Sequence, residues 1–505
     1  MNNLIAKAKY SHLFFMVQES IKHFPIPLRK SFKVIAEGDF LVLLWMAAIL
    51  IFAYAWVPGG LDVDSCNYAA VAKEILRTNK WLGLYDPVYQ GVFYYHFPLC
   101  IWITALFFKF VGITTFTAKL FSMLSSFLLA GVLFYFGKLL KNHWAGFFAG
   151  VSFLLTNHIV RLSRQCRMDL PVSLFITLAI LSFILAQKRT RLYYLFFGLF
   201  TCLAIFSKDV FGLAPLAIVF IYLVMRWRIK ELFHPLFILG LLFAIGPVLF
   251  WIWLDHKTLF NPWFNCNFLH LLKSPSFNVP WYYYIWAITT KYFYFLPFAI
   301  YGGYLAIKEA RNNKKYEFYL LIIWALIFPL AFSFGRQKLH YFILPIYPAA
   351  SLLIGMACEK LFKEPIKLKI AASIKYILII AGIVILCFPI NIRSKRFSET
   401  VHMAPVIDQI LRQLPEYEFI IYKQDIAAIL FYSQELSRVK YIKDKTLLEE
   451  ALASPYVEVR LCYINERDFS ELSVAARQKY RTILKYKDRI LIVNPQDAAL
   501  TVVLP

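Results

Sequence analysis

Four aspartates stand at the ends of apolar segments, where acidic side chains are scarce. Asp62 and Asp64 follow the first long apolar run, and Asp169 ends the motif RQCRMD. Asp209 follows Lys208 in a two-residue polar break between apolar runs. Charged groups at membrane depth are costly and usually line a cavity or a site. A carboxylate placed in this way could take a proton from a reacting hydroxyl group.

Basic side chains accompany these acids. They are Arg161, Arg164, Arg167, Lys208, Arg336 and Lys338. Phosphate is the natural anion for such a set, because Arg binds it bidentately and Lys binds it as a point charge. Contact with lipid headgroups is the alternative for any one of these cations. The position of Lys208 between two apolar runs favours a functional role for this residue.

Two histidines belong to the same loops. His96 lies in YYHFPL and His270 lies in NFLHLLKS. Together with a carboxylate, they could bind a divalent metal ion. Lone histidines more often have a structural role or are simply exposed. A divalent metal ion is therefore a candidate cofactor, and no cofactor is certain.

The elements that hold these residues are membrane spans. The chain has 505 residues, of which 60% are hydrophobic, and its mean hydropathy is +0.60. About 20 apolar helical residues cross a bilayer core. Apolar runs lie at about 40–58, 97–112, 115–137, 144–160, 171–187, 192–207, 210–225, 234–254, 285–307, 316–334, 341–358 and 373–390.

Basic loops set the orientation. Five such loops, beginning near Lys138, Lys188, Arg226, Lys308 and Lys360, alternate along the chain, so all five can be cytoplasmic. The segment 97–112 is then a juxtamembrane or re-entrant helix, and about 11 full spans remain. The aspartates, the six cations and both histidines all face the outside.

The remaining composition excludes other classes. The net charge of +24 is scattered among short loops, so a nucleic-acid partner is not predicted. The cysteines form no CxxC pair, which argues against a zinc cluster or a disulfide framework. Residues 391–505 alternate β-like runs (EFIIYK, VEVRLCYI, RILIVN) with helix-like ones, which predicts a small α/β domain.

One reaction class suits an outer-face site of acids and phosphate-binding cations. No glycine-rich nucleotide loop is visible, and nucleotide sugars are absent outside the cell. A donor there would be a lipid-linked phospho-sugar. An aspartate could take the proton from an acceptor hydroxyl, and Lys and Arg could stabilise the charge on the leaving phosphate.

The loop motifs resemble those of C-type glycosyltransferases, in particular the bacterial aminoarabinose-transferase and protein-mannosyltransferase-like family. The resemblance covers most of residues 55–350 and rests on the order and spacing of five motifs. They are DSCNYAAVAKEIL, YYHFPLCIW, SRQCRMDLPVSLF, FSKDVFGLAPLAI and GRQKLHYFILPIYPA.

The resemblance implies roles for individual residues. Asp64, four residues before Tyr68, would be the catalytic first-loop acid, and Asp169 the second-loop acid. The carrier phosphate would be held by Lys208, Arg336, Lys338 and Tyr341. His270 and Lys273 look like the family's His-x-x-Arg pair near the site, with Lys273 on the phosphate. His96, His270 and Tyr68 would be contacts to the substrate or to a metal.

The chain departs from the family pattern at four places. Tyr95 and His96 replace a Glu-Lys pair, so the metal-binding Glu of that pair is absent. Ser65 replaces the acid after the first-loop aspartate, Phe97 replaces the first Pro of a Pro-Pro pair, and Asp209 replaces a Gly.

The sequence therefore predicts a polytopic α-helical membrane protein of about 11 full spans, with outer-face juxtamembrane helices and a small C-terminal α/β extracytoplasmic domain. The predicted parts are a cytoplasmic segment 1–39, a transmembrane catalytic domain 40–390 whose first periplasmic loop spans about 59–114, and a periplasmic domain 391–505.

The predicted activity is transfer of a sugar from a polyprenyl-phosphate carrier to a lipid A-like glycolipid or a protein. It would take place at the periplasmic face of the inner membrane, among membrane lipids. Two alternatives remain, a transporter or flippase of an anionic lipid and a non-catalytic membrane scaffold. A transporter would use the same cations but would not need Asp64, and the paired halves typical of transporters are not visible.

Overall fold

The protein is helical over most of its length and ends in a small sheet. The structure is a computed structural model, and it describes residues 38–53, 55, 60–255, 263, 279–334, 338–387, 399–414, 416–424, 426–432, 439–454 and 459–494. In the first half of the chain, the helices and short strands are α1 Gly38–Phe52, α2 Val63–Thr78, β1 Tyr85–Asp86, β2 Gly91–Val92, α3 Leu99–Val111, α4 Thr115–Leu140, α5 His143–Leu154, α6 Asn157–Ser163, α7 Asp169–Lys188, α8 Tyr193–Gly212, α9 Ala214–Met225 and α10 Pro235–Leu254.

The second half continues with helices and then enters the sheet. Its helices are α11 Tyr283–Lys291, α12 Leu296–Asn312, α13 Phe318–Ser333, α14 Tyr347–Leu361, α15 Glu364–Cys387 and α16 Glu399–Arg412, with 3₁₀ turns at Ile229–Phe233 and His340–Ile346. The C-terminal elements are β3 Glu418–Tyr422, α17 Ala427–Tyr432, β4 Val439–Ile442, α18 Lys445–Ala453, β5 Arg460–Asn465, α19 Glu466–Ser470, α20 Val474–Lys479, β6 Arg481–Tyr486 and β7 Arg489–Val493.

Within the described residues, five helices are long and apolar enough to cross a membrane. They are α4, α7, α8, α10 and the continuous segment His340–Leu361. The pair α5 and α6 becomes a sixth if it is counted as one span bent by 67°. A membrane-type helical fold is thus confirmed, whereas the count of about 11 full spans stays a prediction.

One apolar run is divided differently from the sequence prediction. The run at about 285–307 forms the separate helices α11 and α12, which are interrupted at 292–295. The predicted polar break at Lys208 and Asp209 is confirmed, because both residues have non-helical backbone angles and form a kink that interrupts α8.

The helices pack closely where glycines face each other. A side-chain carbon on Gly198 of α8 would lie 1.9 Å from the carbonyl oxygen of Gly240 in α10. Small residues let the backbones of membrane helices approach in this way. The main apolar core lies among the helices and includes Phe183, Trp324 and Tyr347.

The C-terminal sheet has the strand order β4-β3-β5-β7-β6. Strand β3 runs parallel to β4 and β5, while β7 is antiparallel to β5 and β6. The sequence predicted β3, β5 and β7 and missed β4 and β6. Because side chains alternate across a strand, Ile420 and Cys462 face one core and Phe419 and Leu461 face another.

The second of these cores joins the sheet to helix α2. Phe419 and Leu461 share a cluster with Ala69 and Ile75 of α2. The Lys73 ammonium also donates hydrogen bonds to the carbonyl oxygens of Leu430 (3.3 Å) and Phe431 (3.2 Å). The C-terminal sheet and α17 therefore support the helix that begins beside Asp64.

Candidate active site

Helix α2 begins at a capped aspartate. The Asp62 carboxylate accepts a hydrogen bond from the Ser65 backbone N–H at 2.8 Å, which satisfies one of the free donors at the helix start. Gln165 ties this turn to the loop before α7, since its side-chain oxygen accepts from the Asp62 backbone N–H at 2.7 Å. Asp62 is therefore the N-terminal cap of α2, and Asp64 lies in the first turn of that helix.

Arg167 connects three carboxylates from two loops. Its Nη1 donates to Asp62 Oδ2 at 2.9 Å and to Asp64 Oδ2 at 3.1 Å, and its Nε donates to Asp169 Oδ2 at 3.0 Å. The guanidinium lies over the Tyr341 ring, 4.5 Å from its centroid. Burial alone would lower the pKa of Arg167, but Asp169, Asp62 and Asp64 raise it well above its usual value. Arg167 is thus a permanent cation that holds the acids in place.

Lys208 pairs with Asp169 at the kink of α8. Its ammonium donates to Asp169 Oδ1, and both side chains are buried. The same ammonium lies 4.3 Å from the centroid of the Phe211 ring and 5.4 Å from that of Tyr341. Asp169 therefore accepts from two cations, Arg167 on one oxygen and Lys208 on the other.

Asp209 binds the first loop from the other side of the kink. Its Oδ2 lies 2.8 Å from Nδ1 of His96, and its Oδ1 accepts from the Phe97 backbone N–H at 2.9 Å. The backbone of Asp209 has φ +36° and ψ −118°. A non-glycine residue in the positive-φ region is strained and persists only where its surroundings hold it.

One cavity of about 320 Å³ is lined by Asp64, Arg167, Asp169, Lys208 and Asp209 together with their neighbours. Tyr68 lies on it, and burial followed by the Asp64 charge raises the pKa of the Tyr68 phenol well above its usual value, so that it stays protonated. The polar lining residues are Asp64, Asn67, Tyr68, Tyr89, Tyr95, His96, Arg167, Asp169, Lys208, Asp209 and Tyr341. The apolar ones are Met168, Val210, Phe211, Phe332, Leu339 and Phe342.

The structure brings most of the predicted site residues to this cavity. Those that line it are Asp64, Tyr68, His96, Asp169, Lys208 and Tyr341. Lys338 is not among the lining residues; its ammonium donates to the carbonyl oxygen of Val279 at 3.1 Å. Arg336, His270 and Lys273 lie outside the described residues.

Sequence reasoning gave too little weight to two residues. Arg167 was counted among the outer cations, but its position two residues before Asp169 did not reveal that it contacts three acids. Asp209 was named among the four aspartates and as a replacement for glycine, but no role was assigned to it. The one available signal was its position beside Lys208 in a polar break between apolar runs.

A metal site was the other prediction for these loops. Among the described residues, no three His, Cys, Asp or Glu side chains are grouped so that they could hold a metal ion. The carboxylate oxygens of Asp169 are engaged with two cations, and those of Asp209 with a backbone N–H and with His96. The candidate metal therefore has no complete ligand set in this part of the chain.

The arrangement can bind and activate polar groups. Lys208 and Arg167 supply positive charge at one place on the cavity, where a leaving phosphate could be neutralised. Asp64 has a half-exposed side chain, so it can reach a hydroxyl group in the cavity. Rings of Tyr68, Tyr89 and Tyr95 complete a partly aromatic wall.

The chain is similar to known polyprenyl-phosphate enzymes. The family model for dolichyl-phosphate-mannose-protein mannosyltransferase matches residues 95–253. An undecaprenyl phosphate-alpha-4-amino-4-deoxy-L-arabinose arabinosyl transferase of Aeromonas hydrophila is 24% identical over 340 residues, which are 61% of this chain and 57% of that protein. The corresponding transferase 1 of Proteus mirabilis is 26% identical over 323 residues, 61% of this chain and 56% of that protein.

Solved structures show the same fold. ArnT from Cupriavidus metallidurans, bound to undecaprenyl phosphate, superposes with a TM-score of 0.68 at 14% identity, covering 91% of this chain and 97% of ArnT. The apo oligosaccharyltransferase of Archaeoglobus fulgidus gives a TM-score of 0.55 at 10% identity, covering 88% of this chain and 72% of that one.

The predicted resemblance to C-type glycosyltransferases of the aminoarabinose-transferase kind is confirmed by these matches. This chain spans somewhat more than half the length of the curated relatives it matches, 57% of the Aeromonas hydrophila transferase and 56% of the Proteus mirabilis one.

Proposed function

We propose that this protein transfers a sugar from a polyprenyl-phosphate carrier to an acceptor hydroxyl at the periplasmic face of the inner membrane. The observation that carries the proposal is the cavity where Asp64, Asp169, Arg167 and Lys208 converge. The fold supports it, because ArnT has the same fold and was solved with undecaprenyl phosphate bound. The favoured acceptor is a lipid, such as lipid A or another glycolipid, and the less favoured one is a protein.

The proposed reaction is a direct displacement with inversion. The acceptor oxygen bonds to the anomeric carbon of the sugar while the bond from that carbon to the phosphate oxygen breaks. Asp64 orients or deprotonates the acceptor hydroxyl, and Asp169 supports the site through Arg167 and Lys208. Lys208 neutralises the charge that develops on the leaving phosphate, since a preorganised cation stabilises charge in a water-poor cavity.

Four further residues would hold the carrier phosphate. Tyr341 lines the cavity beside Arg167, whereas Arg336, Lys338 and Lys273 belong to the proposal without support from the cavity lining. A divalent metal would need ligands beyond the described residues, such as His270. Elemental analysis of the purified protein would test for such an ion.

The topology is part of the same proposal. About 11 spans place the five basic loops in the cytoplasm and put the cavity and the domain 391–505 in the periplasm, with a cytoplasmic segment 1–39. A reporter fused after Lys141 should read as cytoplasmic. A periplasmic reading there would refute the span assignment.

The decisive experiment compares lipids and proteins of cells with and without the gene by mass spectrometry. The wild type should add one sugar mass to a glycolipid, and Asp64→Asn should add none. In vitro, proteoliposomes supplied with undecaprenyl-phosphate-linked sugars should transfer them to lipid A or to a protein fraction. Movement of an anionic lipid between leaflets without any sugar transfer would instead support a transporter.

A further inference from the structure

His96 and Asp209 form a pair that the proposed mechanism does not yet use. They lie 113 positions apart, in the first outer loop and at the kink of α8, and both line the cavity. The distance from His96 Nδ1 to Asp209 Oδ2 is 2.8 Å. Asp209 is almost fully buried, while the His96 side chain is 19% exposed, so the imidazole is the member of the pair that can meet a ligand.

The hydrogen bonds of Asp209 determine which ring nitrogen of His96 carries the hydrogen. An ionised carboxylate only accepts hydrogen bonds. One oxygen of Asp209 accepts from the Phe97 N–H, and the other faces Nδ1 of His96. Nδ1 must therefore be the donor, which leaves the lone pair of the neutral ring on Nε2. A carboxylate that fixes the tautomer in this way prepares a histidine to accept a proton at the other nitrogen.

The backbone at Asp209 gives a second, independent argument. Its φ of +36° lies in the region that glycine adopts without strain. Glycine at this position would relieve the strain but could not bind His96. The chain keeps an aspartate there, and the carboxylate makes two hydrogen bonds to the loop that carries His96. This strain is consistent with a role for the side chain at a functional site.

The neighbours of His96 leave it suited to a hydroxyl ligand. Its ring lies 6.0 Å from that of Tyr68, and Tyr95 precedes it in the chain. The charged groups of the cavity are Asp64, Arg167, Asp169 and Lys208 in addition to Asp209. Asp64 accepts a hydrogen bond from Arg167 through one oxygen, and Asp169 accepts from both Arg167 and Lys208, so both acids are already paired with cations.

We propose that His96 accepts the proton of the acceptor hydroxyl and that Asp209 is its positioning residue. This inference rests on the proposed glycosyl transfer. The acceptor oxygen bonds to the anomeric carbon, the bond to the carrier phosphate breaks, and its electron pair leaves with the phosphate. The acceptor proton moves to Nε2 of His96, and Asp209 stabilises the imidazolium that forms. Asp64 then orients the acceptor.

The test uses full-length protein in proteoliposomes, with the undecaprenyl-phosphate-linked sugar and lipid A as probes. His96→Gln should lower kcat about 100-fold or more, the usual contribution of a general base, while KM for the donor stays within about twofold. Asp209→Asn should have a similar effect on kcat, because its amide can donate to Nδ1 and move the hydrogen to Nε2.

A second His–Asp pair provides the matched control. His143 Nε2 and Asp39 Oδ2 lie 3.9 Å apart and do not line the cavity. His143→Gln and Asp39→Asn should leave kcat within about twofold of the wild type. In addition, imidazole in the buffer should restore part of the activity of His96→Ala.

The outcomes separate the inference from the proposed function. If the wild type transfers no sugar to any acceptor, the glycosyltransferase proposal fails and this inference fails with it. If the wild type is active and His96→Gln keeps its kcat, only the inference fails. It also fails if His96→Gln and Asp209→Asn lose binding of undecaprenyl phosphate in parallel with activity and imidazole does not rescue His96→Ala, because the pair would then be structural.

Discussion

The ion pair between Asp169 and Lys208 offers a quantitative test of the site. Both side chains are at most 5% exposed, so water screens their interaction little. Lys208 has Asp169 as its carboxylate partner among the described residues, whereas Asp169 also accepts from Arg167. Asp169→Asn therefore leaves a buried ammonium without its counter-charge, and Lys208→Met leaves Asp169 with one cation instead of two.

Removing one partner of a buried pair typically costs about 3–5 kcal/mol. We expect Asp169→Asn to lower the free energy of unfolding by about 4 kcal/mol, since it affects both cations. Lys208→Met should cost about 3 kcal/mol, because Arg167 still neutralises Asp169. The double variant leaves no stranded ammonium, so its loss should be smaller than the two single losses added together, by about 2 kcal/mol or more.

The carrier phosphate should act on the same cation. In Asp169→Asn, Lys208 no longer has a carboxylate that competes with phosphate. Saturating undecaprenyl phosphate should therefore stabilise this variant more than the wild type; a ligand at 100 times its Kd contributes about 2.7 kcal/mol.

The assay is denaturant unfolding in detergent micelles, with and without undecaprenyl phosphate. The control is a double-mutant cycle on the buried pair of Arg460 and Glu418 in the C-terminal sheet. Its coupling free energy should not change when undecaprenyl phosphate is added. If the stability loss of the double variant equals the sum of the Asp169→Asn and Lys208→Met losses within about 0.5 kcal/mol, the coupling is refuted. An equal response of wild type and variant to undecaprenyl phosphate would refute the role of Lys208.

Three further predictions follow from other parts of the molecule. Asp64→Asn should abolish sugar transfer, whereas Asp62→Asn, which can still cap α2, should reduce it less than about tenfold; a similar loss in both would contradict the separation of their roles. Gly198→Ala should destabilise the protein by about 2 kcal/mol or more, because the new carbon meets a carbonyl of α10, whereas Gly246→Ala, with open space around it, should not; unfolding of the two variants checks this. Burial lowers the pKa of Lys73 to about 8, below its value of about 10.4 in an unfolded chain. The unfolded state then binds more protons between these values, so stability should rise as the pH rises through that window; Lys73→Met should remove this rise in unfolding measurements at pH 7.5 and 9.5, and an unchanged slope would contradict the assignment.

Local patterns in the sequence predicted much of the architecture. Long apolar runs predicted the helices around Asp169 and Lys208, since about 20 apolar residues are a strong signal by themselves. The alternating runs EFIIYK, VEVRLCYI and RILIVN predicted three strands of the C-terminal sheet. Strands β4 and β6 were missed; four of the six residues of β6 are exposed, so that strand carries little apolar alternation.

The site was predicted only in part, because its contacts join distant segments. The motifs named Asp64, Asp169 and Lys208, and all three line the cavity. They also named Lys338, whose ammonium is directed to the carbonyl of Val279. A long, flexible side chain can reach several partners, and no pattern in the sequence says which one it takes.

The sequence by itself determined that acids and cations stand at the ends of apolar helices, because composition and the spacing of charges are local properties. Only the tertiary structure decided how these charges pair. In the structure, Arg167 pairs with three aspartates of two loops, and Asp209 lies within hydrogen-bond distance of His96, 113 positions away. The C-terminal sheet packs against the helix that carries Asp64. Hydrogen bonds and ion pairs depend on distances of about 3 Å, and folding alone brings groups from separate segments that close.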